Sequence, residues 1–219
     1  MSAASEVRAS YDTVAVDYEA LLRDELDGRP LERALLTAFA EMVGAGPVAD
    51  VGCGPGRVAA HLQALGLDVF GIDLSPGMVD VARAAHPGIR FEVSSMTALD
   101  VADGGLAGVL AWYSVVHMPD SELPAVFGEF ARVLRPGGSV LLAFHLGDDP
   151  VHLDHAYGHP LSLDVHPHQP DHVASMLSDA GFGLLATMVR APDGPEKRPR
   201  AYLLATLERV TCHPDIDDR

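Results

Sequence analysis

Val48-Ala-Asp-Val-Gly-Cys-Gly-Pro-Gly-Arg57 is the most informative stretch of the chain. Four residues that read as a buried strand run into a loop with three glycines, and the loop runs into an amphipathic helix. Glycine accepts backbone conformations closed to other residues and lets a ligand approach the main chain. The first turn of the following helix presents N–H groups without intrahelical partners, so the unit is built to meet a polar ligand. A dinucleotide fingerprint requires Gly-x-Gly-x-x-Gly. Here the third glycine, Gly56, comes one place early and Arg57 stands where the fingerprint has its glycine.

From Pro47 onward, short apolar runs alternate with amphipathic stretches, the pattern of a parallel sheet covered on both faces. Strands are predicted at 48–51, 68–73, 89–93, 106–113 and 139–145. Helices are predicted near 56–65, 76–85 and 121–134, the second opened by Ser75 as cap with Pro76 at its first position. Arg135-Pro-Gly-Gly138 reads as a turn. A last helix from about Asp171 to Gly181 precedes two strands, 182–189 and 201–206, whose Pro-rich connection is too short for a crossover, so the sheet is expected to end in an antiparallel hairpin. The expected fold is a doubly wound, Rossmann-like α/β domain with a seven-stranded, mostly parallel sheet. Ahead of it, Ser10 to Met42 reads as two helices broken near Gly28-Arg29-Pro30 that cap the sheet edge. The stretch 146–170 shows no clean period and is expected to be an irregular insert over the substrate. One domain is thus divided into cap helices (1–45), a core (46–145), the insert (146–170), the last helix and hairpin (171–207) and a tail (208–219).

Composition narrows the chemistry. The 219 residues include 15 basic and 31 acidic side chains, a net charge of −16 that repels phosphate backbones and anionic lipid, so neither nucleic acid nor membrane is an expected partner. Lys197 is the single lysine among the basic residues, the bias of a GC-rich bacterial genome. No apolar run reaches bilayer length and no signal segment opens the chain, which points to the cytoplasm. Cys53 and Cys212 suit neither a disulfide framework nor a paired metal motif.

Asp50-Val-Gly-Cys-Gly-Pro-Gly56 resembles the first motif of class I S-adenosylmethionine-dependent methyltransferases. Phe70-Gly-Ile-Asp-Leu-Ser-Pro-Gly-Met78 resembles their second-strand motif, Ser94-Ser-Met-Thr-Ala-Leu99 the segment after the third strand, Trp112-Tyr-Ser-Val-Val-His117 the fourth-strand motif, and Leu134-Arg-Pro-Gly-Gly138 the turn before the fifth strand. The resemblance covers about residues 46–145. It implies S-adenosylmethionine as methyl donor, with S-adenosylhomocysteine released, and a small-molecule acceptor methylated on O, N or C by a monomer or homodimer. Asp73 would accept hydrogen bonds from the two ribose hydroxyls. Asp50 and the loop of Gly52, Cys53, Gly54 and Gly56 would lie beside the methionine portion, and Leu74 and Met78 beside the adenine, although Met78 serves equally as helix core. At the place where the family usually has an acidic residue for the adenine amino group stands Ser95, beside Met96, so backbone groups would take that contact. Tyr11 and Tyr18, seven apart and so on one helix face, resemble tyrosines that close over the cofactor, and Tyr113 belongs to the same rim.

Methyl transfer to a hydroxyl or ammonium needs somewhere for a proton to go. His117 after the fourth strand and His145 at the end of the fifth are the candidate bases and acceptor contacts, each equally able to cap backbone carbonyls. Seven of the 11 histidines fall between residues 145 and 172. His152, Gly158 and His159 are candidate acceptor contacts if this stretch is a lid. His152, His155 and His159, with Asp154 or Asp164, would share one helical face and could hold a metal, although their spacing matches no zinc motif and no metal is predicted. An NAD-dependent oxidoreductase and a non-catalytic binder of S-adenosylmethionine or of metal are the competing readings.

Overall fold

The structure is a computed structural model that describes residues 3–194 and 196–209. Cys212 and the tail from residue 210 lie outside those residues. Seven strands form one sheet: β1 (Pro47–Val51), β2 (Asp68–Asp73), β3 (Phe91–Val93), β4 (Leu106–Trp112), β5 (Leu134–His145), β8 (Phe182–Arg190) and β9 (Arg200–Leu207). Their order is β3-β2-β1-β4-β5-β9-β8, with β1 to β5 parallel and β9 antiparallel to both of its neighbours. The strand order reverses between β1 and β4, and in doubly wound sheets the crevice outside the carboxyl ends at that point receives the ligand.

Both faces of the sheet are covered. Along β4, Val109 and Ala111 point into a core shared with α5 (Leu123–Val133) and α6 (Pro170–Asp179), while Leu110 and Trp112 point into a second core shared with α2 (Pro30–Val43), α3 (Arg57–Ala64) and α4 (Pro76–Ala85). This alternation is the strand period of two, and it explains why β4 reads as one unbroken apolar run. Ser75 caps α4 as expected, its Oγ accepting from the Met78 amide at 3.0 Å.

Three expectations change. Arg135-Pro-Gly-Gly138 is a bulge inside β5: Leu134 already pairs with Leu106, and pairing resumes at Gly108 with Ser139. The N-terminal helices do not cap the sheet edge. α2 lies on a sheet face, where Val43 and Phe39 come so close to Gly108 that a Cβ there would sit 2.8 and 3.0 Å from their side chains. α1 (Ala3–Leu22), which starts seven residues before the predicted helix, packs instead on α4 and on the strand His159–Val165.

The stretch 146–170 is no irregular loop. It contains an antiparallel hairpin, β6 (Val151–Ala156) and β7 (His159–Val165), whose two-residue turn is Tyr157-Gly158 with φ of 54° and 83°. Both values are positive, the twist that a two-residue hairpin requires. Tyr157 and Leu161 seat the hairpin on Val14, Ala15 and Met78, joining α1 to α4. No described helix is long and apolar enough to cross a membrane.

Candidate active site

The carboxyl ends of β1, β2 and β4 open into a cleft roofed by α1, with about 1170 Å³ of space including its mouth. Of the residues predicted from sequence, Tyr11, Tyr18, Asp50, Gly52, Cys53, Gly54, Asp73, Leu74, Met78, Ser95, Met96, Tyr113 and His117 all line it.

The glycine loop is shaped by its backbone. Gly52, Gly54 and Gly56 have φ of 74°, 54° and 83°, the left-handed region that L side chains avoid. Gly56 takes no part in the cleft lining. It caps α3 and faces the Phe91 ring, which a Cβ would approach to 2.6 Å. Asp73 ties the loop to β2: its Oδ2 accepts from the Gly54 amide at 2.8 Å and its Oδ1 from the Ser75 amide at 2.9 Å. Each oxygen retains a second acceptor site, so the carboxylate can still meet two donors. Burial pushes the Asp73 carboxyl up, against the lowering pull of those amides.

Asp50 is the conspicuous group. It is 1% exposed, and neither carboxylate oxygen has a hydrogen-bond partner among the described residues. Burial is the main cause that raises its carboxyl to about 7, with Asp73 adding repulsion, while Arg57 and the Ala59 amide, which faces it without closing a bond, pull it down. An unsatisfied buried carboxylate is costly, and a cationic donor would relieve that cost. Arg57 is the one Lys or Arg among the described lining residues, and it donates to Glu25 at 2.5 Å.

At the other end of the cleft stand Tyr11 and His117. The Tyr11 hydroxyl lies 2.7 Å from His117 Nε2, and His117 Nδ1 lies 2.9 Å from the Asp164 carbonyl. Burial lowers the His117 pKa and raises that of Tyr11 well above the usual tyrosine value. The aromatic rings run in edge contact from Tyr157 to Tyr18, Tyr18 to Tyr11 and Tyr11 to His117, with centroids 4.8, 5.9 and 5.3 Å apart. Tyr113 adopts a left-handed φ of 57°, strained for a non-glycine residue. It is held by its amide, which donates to Ala143 O, and by its hydroxyl, 2.8 Å from that of Tyr202, which in turn donates to buried Glu32.

The remaining histidines lie elsewhere. His145 faces Arg200 and stacks beside Tyr113, behind the cleft wall. His145 is not among the residues that line the cleft. His152 is half-exposed on the hairpin and pairs with Asp164 at 2.6 Å, and His159 pairs with Asp17 of α1 at 2.6 Å. Gly158 is at the hairpin tip with open space around it. His152, His155 and His159 sit on strands, not on a shared helical face, and no group of three or more His, Cys, Asp or Glu among the described residues could hold a metal. Sequence reasoning missed Arg57, Ser114, Met118, Glu122 and the Ala3, Ala4 and Val7 face of α1 as lining residues. Arg57 carried a signal, as the residue directly after the glycine loop, whereas the others line the cleft only because distant segments meet there.

A family model described as a methyltransferase domain matches residues 48–138. Over residues 48–138 the chain is thus similar to methyltransferase domains. Among curated relatives, a malonyl-[acyl-carrier protein] O-methyltransferase of Erwinia billingiae is 34% identical over 116 residues, 53% of this chain and 45% of that protein. A demethylmenaquinone methyltransferase of Beutenbergia cavernae is 32% identical over 143 residues, 63% of this chain and 57% of that protein. The chain thus spans about half the length of the curated relatives it matches. Among solved structures, a magnesium protoporphyrin IX methyltransferase from Synechocystis with bound S-adenosylmethionine superposes with a TM-score of 0.73 at 17% identity, covering 94% of this chain and 97% of that one. The Burkholderia thailandensis 1,6-didemethyltoxoflavin-N1-methyltransferase superposes at 0.72 and 20% identity, covering 94% and 89%. These two share the fold of this chain.

Proposed function

We propose that the chain transfers the methyl group of S-adenosylmethionine to a small-molecule acceptor. The observation that carries this reading is the pairing of two carboxylates across a left-handed glycine loop: Asp50, buried with both oxygens unpartnered, and Asp73, with two spare acceptor sites. An amino-acid ammonium answers the first and a vicinal diol the second. Leu74, Met78 and Met96 supply an apolar wall for a heterocycle, with Ser95 beside it. When bound, the sulfonium supplies an electrophilic methyl carbon. Tyr11 and Tyr18 would exclude water from the cleft and would offer a bound cation the faces of their rings.

A small acceptor fits the net charge of −16, which opposes nucleic acid. We place the enzyme in the cytoplasm, where the buried thiol of Cys53 stays reduced, as a monomer or homodimer. Dinucleotide-dependent hydride transfer is the weaker alternative, because Arg57 projects into the cleft where the fingerprint's third glycine leaves room. Parallel calorimetric titrations with S-adenosylmethionine, S-adenosylhomocysteine and NAD decide between them: binding of both adenosyl ligands without NAD is expected, and NAD binding alone would overturn the reading. In the same assay Asp73→Ala is expected to weaken S-adenosylhomocysteine by about 1.5–3 kcal/mol, because it removes charge-assisted bonds to the ligand. Unchanged affinity would remove Asp73 from the site.

A further inference from the structure

We propose that Tyr11 and His117 form a two-residue proton relay, and that the acceptor is therefore a neutral small molecule presenting an O–H or N–H group, not a carboxylate. The inference rests on the methyltransferase reading and adds to it the class of acceptor.

The geometry fixes the direction of the relay. A backbone carbonyl only accepts hydrogen bonds, so Nδ1 of His117, 2.9 Å from Asp164 O, carries the ring proton. Nε2 of the neutral ring is then a lone pair, and the Tyr11 hydroxyl at 2.7 Å donates to it. No substrate reaches Nε2 without displacing that hydroxyl, whereas the Tyr11 oxygen keeps its own lone pairs and lines the cleft. The pair is clamped from both sides. On α1, the Asp12 carboxylate accepts from the Ser75 hydroxyl at 2.6 Å and from the Gly77 amide at 2.8 Å. On the other side, the His166 amide donates to Val116 O at 2.7 Å, and buried His168 bridges Asp120 and Val115 O around the turn that bears His117. The titratable neighbours facing His117 are Tyr11 from α1 and His166 from the segment after β7.

The step balances as follows. The acceptor gives its proton to the Tyr11 oxygen as the Tyr11 proton moves to Nε2, leaving an imidazolium with Nδ1–H still on Asp164 O. The electron pair freed on the acceptor forms the bond to the methyl carbon, and the carbon–sulfur pair stays on sulfur as a neutral thioether. Once the product has left, the relay runs in reverse: Nε2 returns its proton to the Tyr11 oxygen, which gives one to water in the cleft. A carboxylate has no proton to give at neutral pH. It would also meet Asp50, Asp73 and Glu122, with Arg57 already engaged by Glu25.

Three measurements on the full chain test this. Long-range proton–nitrogen NMR of the protein saturated with S-adenosylhomocysteine is expected to show His117 as the neutral Nδ1–H tautomer, and an Nε2–H tautomer overturns the relay. A library of alcohols, phenols, amines and carboxylic acids, scored by release of S-adenosylhomocysteine from S-adenosylmethionine, is expected to give hits confined to O–H and N–H acceptors. A carboxylate among the hits, or a library with no O–H or N–H hit, overturns the acceptor class. With the best hit, Tyr11→Phe and His117→Gln are each expected to lower kcat by about 10²–10⁴-fold while leaving acceptor KM and S-adenosylhomocysteine affinity within about threefold. Wild-type kcat in Tyr11→Phe overturns the relay. Absence of adenosyl-ligand binding by the wild type is seen before any of these arms, and it would overturn the methyltransferase reading itself.

Discussion

Replacing Gly52 with alanine is expected to destabilise the protein by about 2–5 kcal/mol and to abolish cofactor binding. Two independent costs add. Gly52 has φ of 74°, and an L residue held there costs roughly 1–2 kcal/mol. A Cβ would also sit 2.2 Å from the Ser114 Cβ and 2.9 Å from its Oγ, and relieving such an overlap in a packed site costs about 1–3 kcal/mol. Ser114 cannot simply turn away, because its hydroxyl donates to Val51 O at 2.7 Å and holds the end of β1 to the segment after β4. Urea denaturation of Gly52→Ala, alone and combined with Ser114→Gly, separates the two costs. Measured against the Ser114→Gly single variant, which carries the cost of the lost Val51 bond, the double variant is expected to show only the conformational part. A single variant within 0.5 kcal/mol of wild type, a cost too small for either effect, would mean that the loop tolerates a side chain and is not held in the left-handed region.

That loop was legible because local rules and tertiary structure agree there: an apolar strand, glycines at left-handed positions, and a helix start. The same agreement made Ser75 readable as a cap and Asp73 as a strand-tip carboxylate. The insert was not legible. Its turn is Tyr157-Gly158, without the Asn or Asp that usually marks a two-residue hairpin, and the alternation of Val151 and Leu153, then of Leu161, Leu163 and Val165, with exposed polar residues is too short on each strand to announce it. His117 and His145 looked alike in sequence, each at a strand end. What separates them is the partner that topology brings: the Tyr11 hydroxyl and the Asp164 carbonyl meet His117, whereas the reversed β9 sets Arg200 opposite His145. Residues 106 and 55 positions away decide those environments, and no local pattern encodes them. The Ala3 to Val7 stretch of α1 was missed for a related reason, since it lines the cleft only after the helix has folded over it.

Binding of S-adenosylmethionine at pH 7 is expected to release about half a proton from Asp50. The buried carboxyl, raised to about 7 chiefly by burial, is close to half protonated in the free protein at that pH. An ammonium placed against its two unpartnered oxygens favours the charged form, draws the pKa down and expels the remaining proton. Calorimetry in buffers of differing ionisation enthalpy measures the count directly, and zero release would mean that Asp50 meets no cation. The same shift gives the free protein a stability profile whose sign is fixed. The folded pKa lies above the unfolded value of 3.8, so the stabilising contribution of the protonated group is complete below about pH 3.8 and is lost as pH rises through about 7. The loss is on the order of 4 kcal/mol, from roughly three pK units at 1.36 kcal/mol each. Asp50→Asn keeps the shape without the charge, so the difference between its pH–stability curve and the wild-type curve isolates this group from the other titrating residues. Saturating S-adenosylhomocysteine, which carries the same amino-acid ammonium, is expected to flatten the wild-type slope and to leave that of Asp50→Asn unchanged. A wild-type curve parallel to that of Asp50→Asn across pH 4–7 would mean that the carboxylate is satisfied in the free protein and that the cleft has no need of a cationic ligand there.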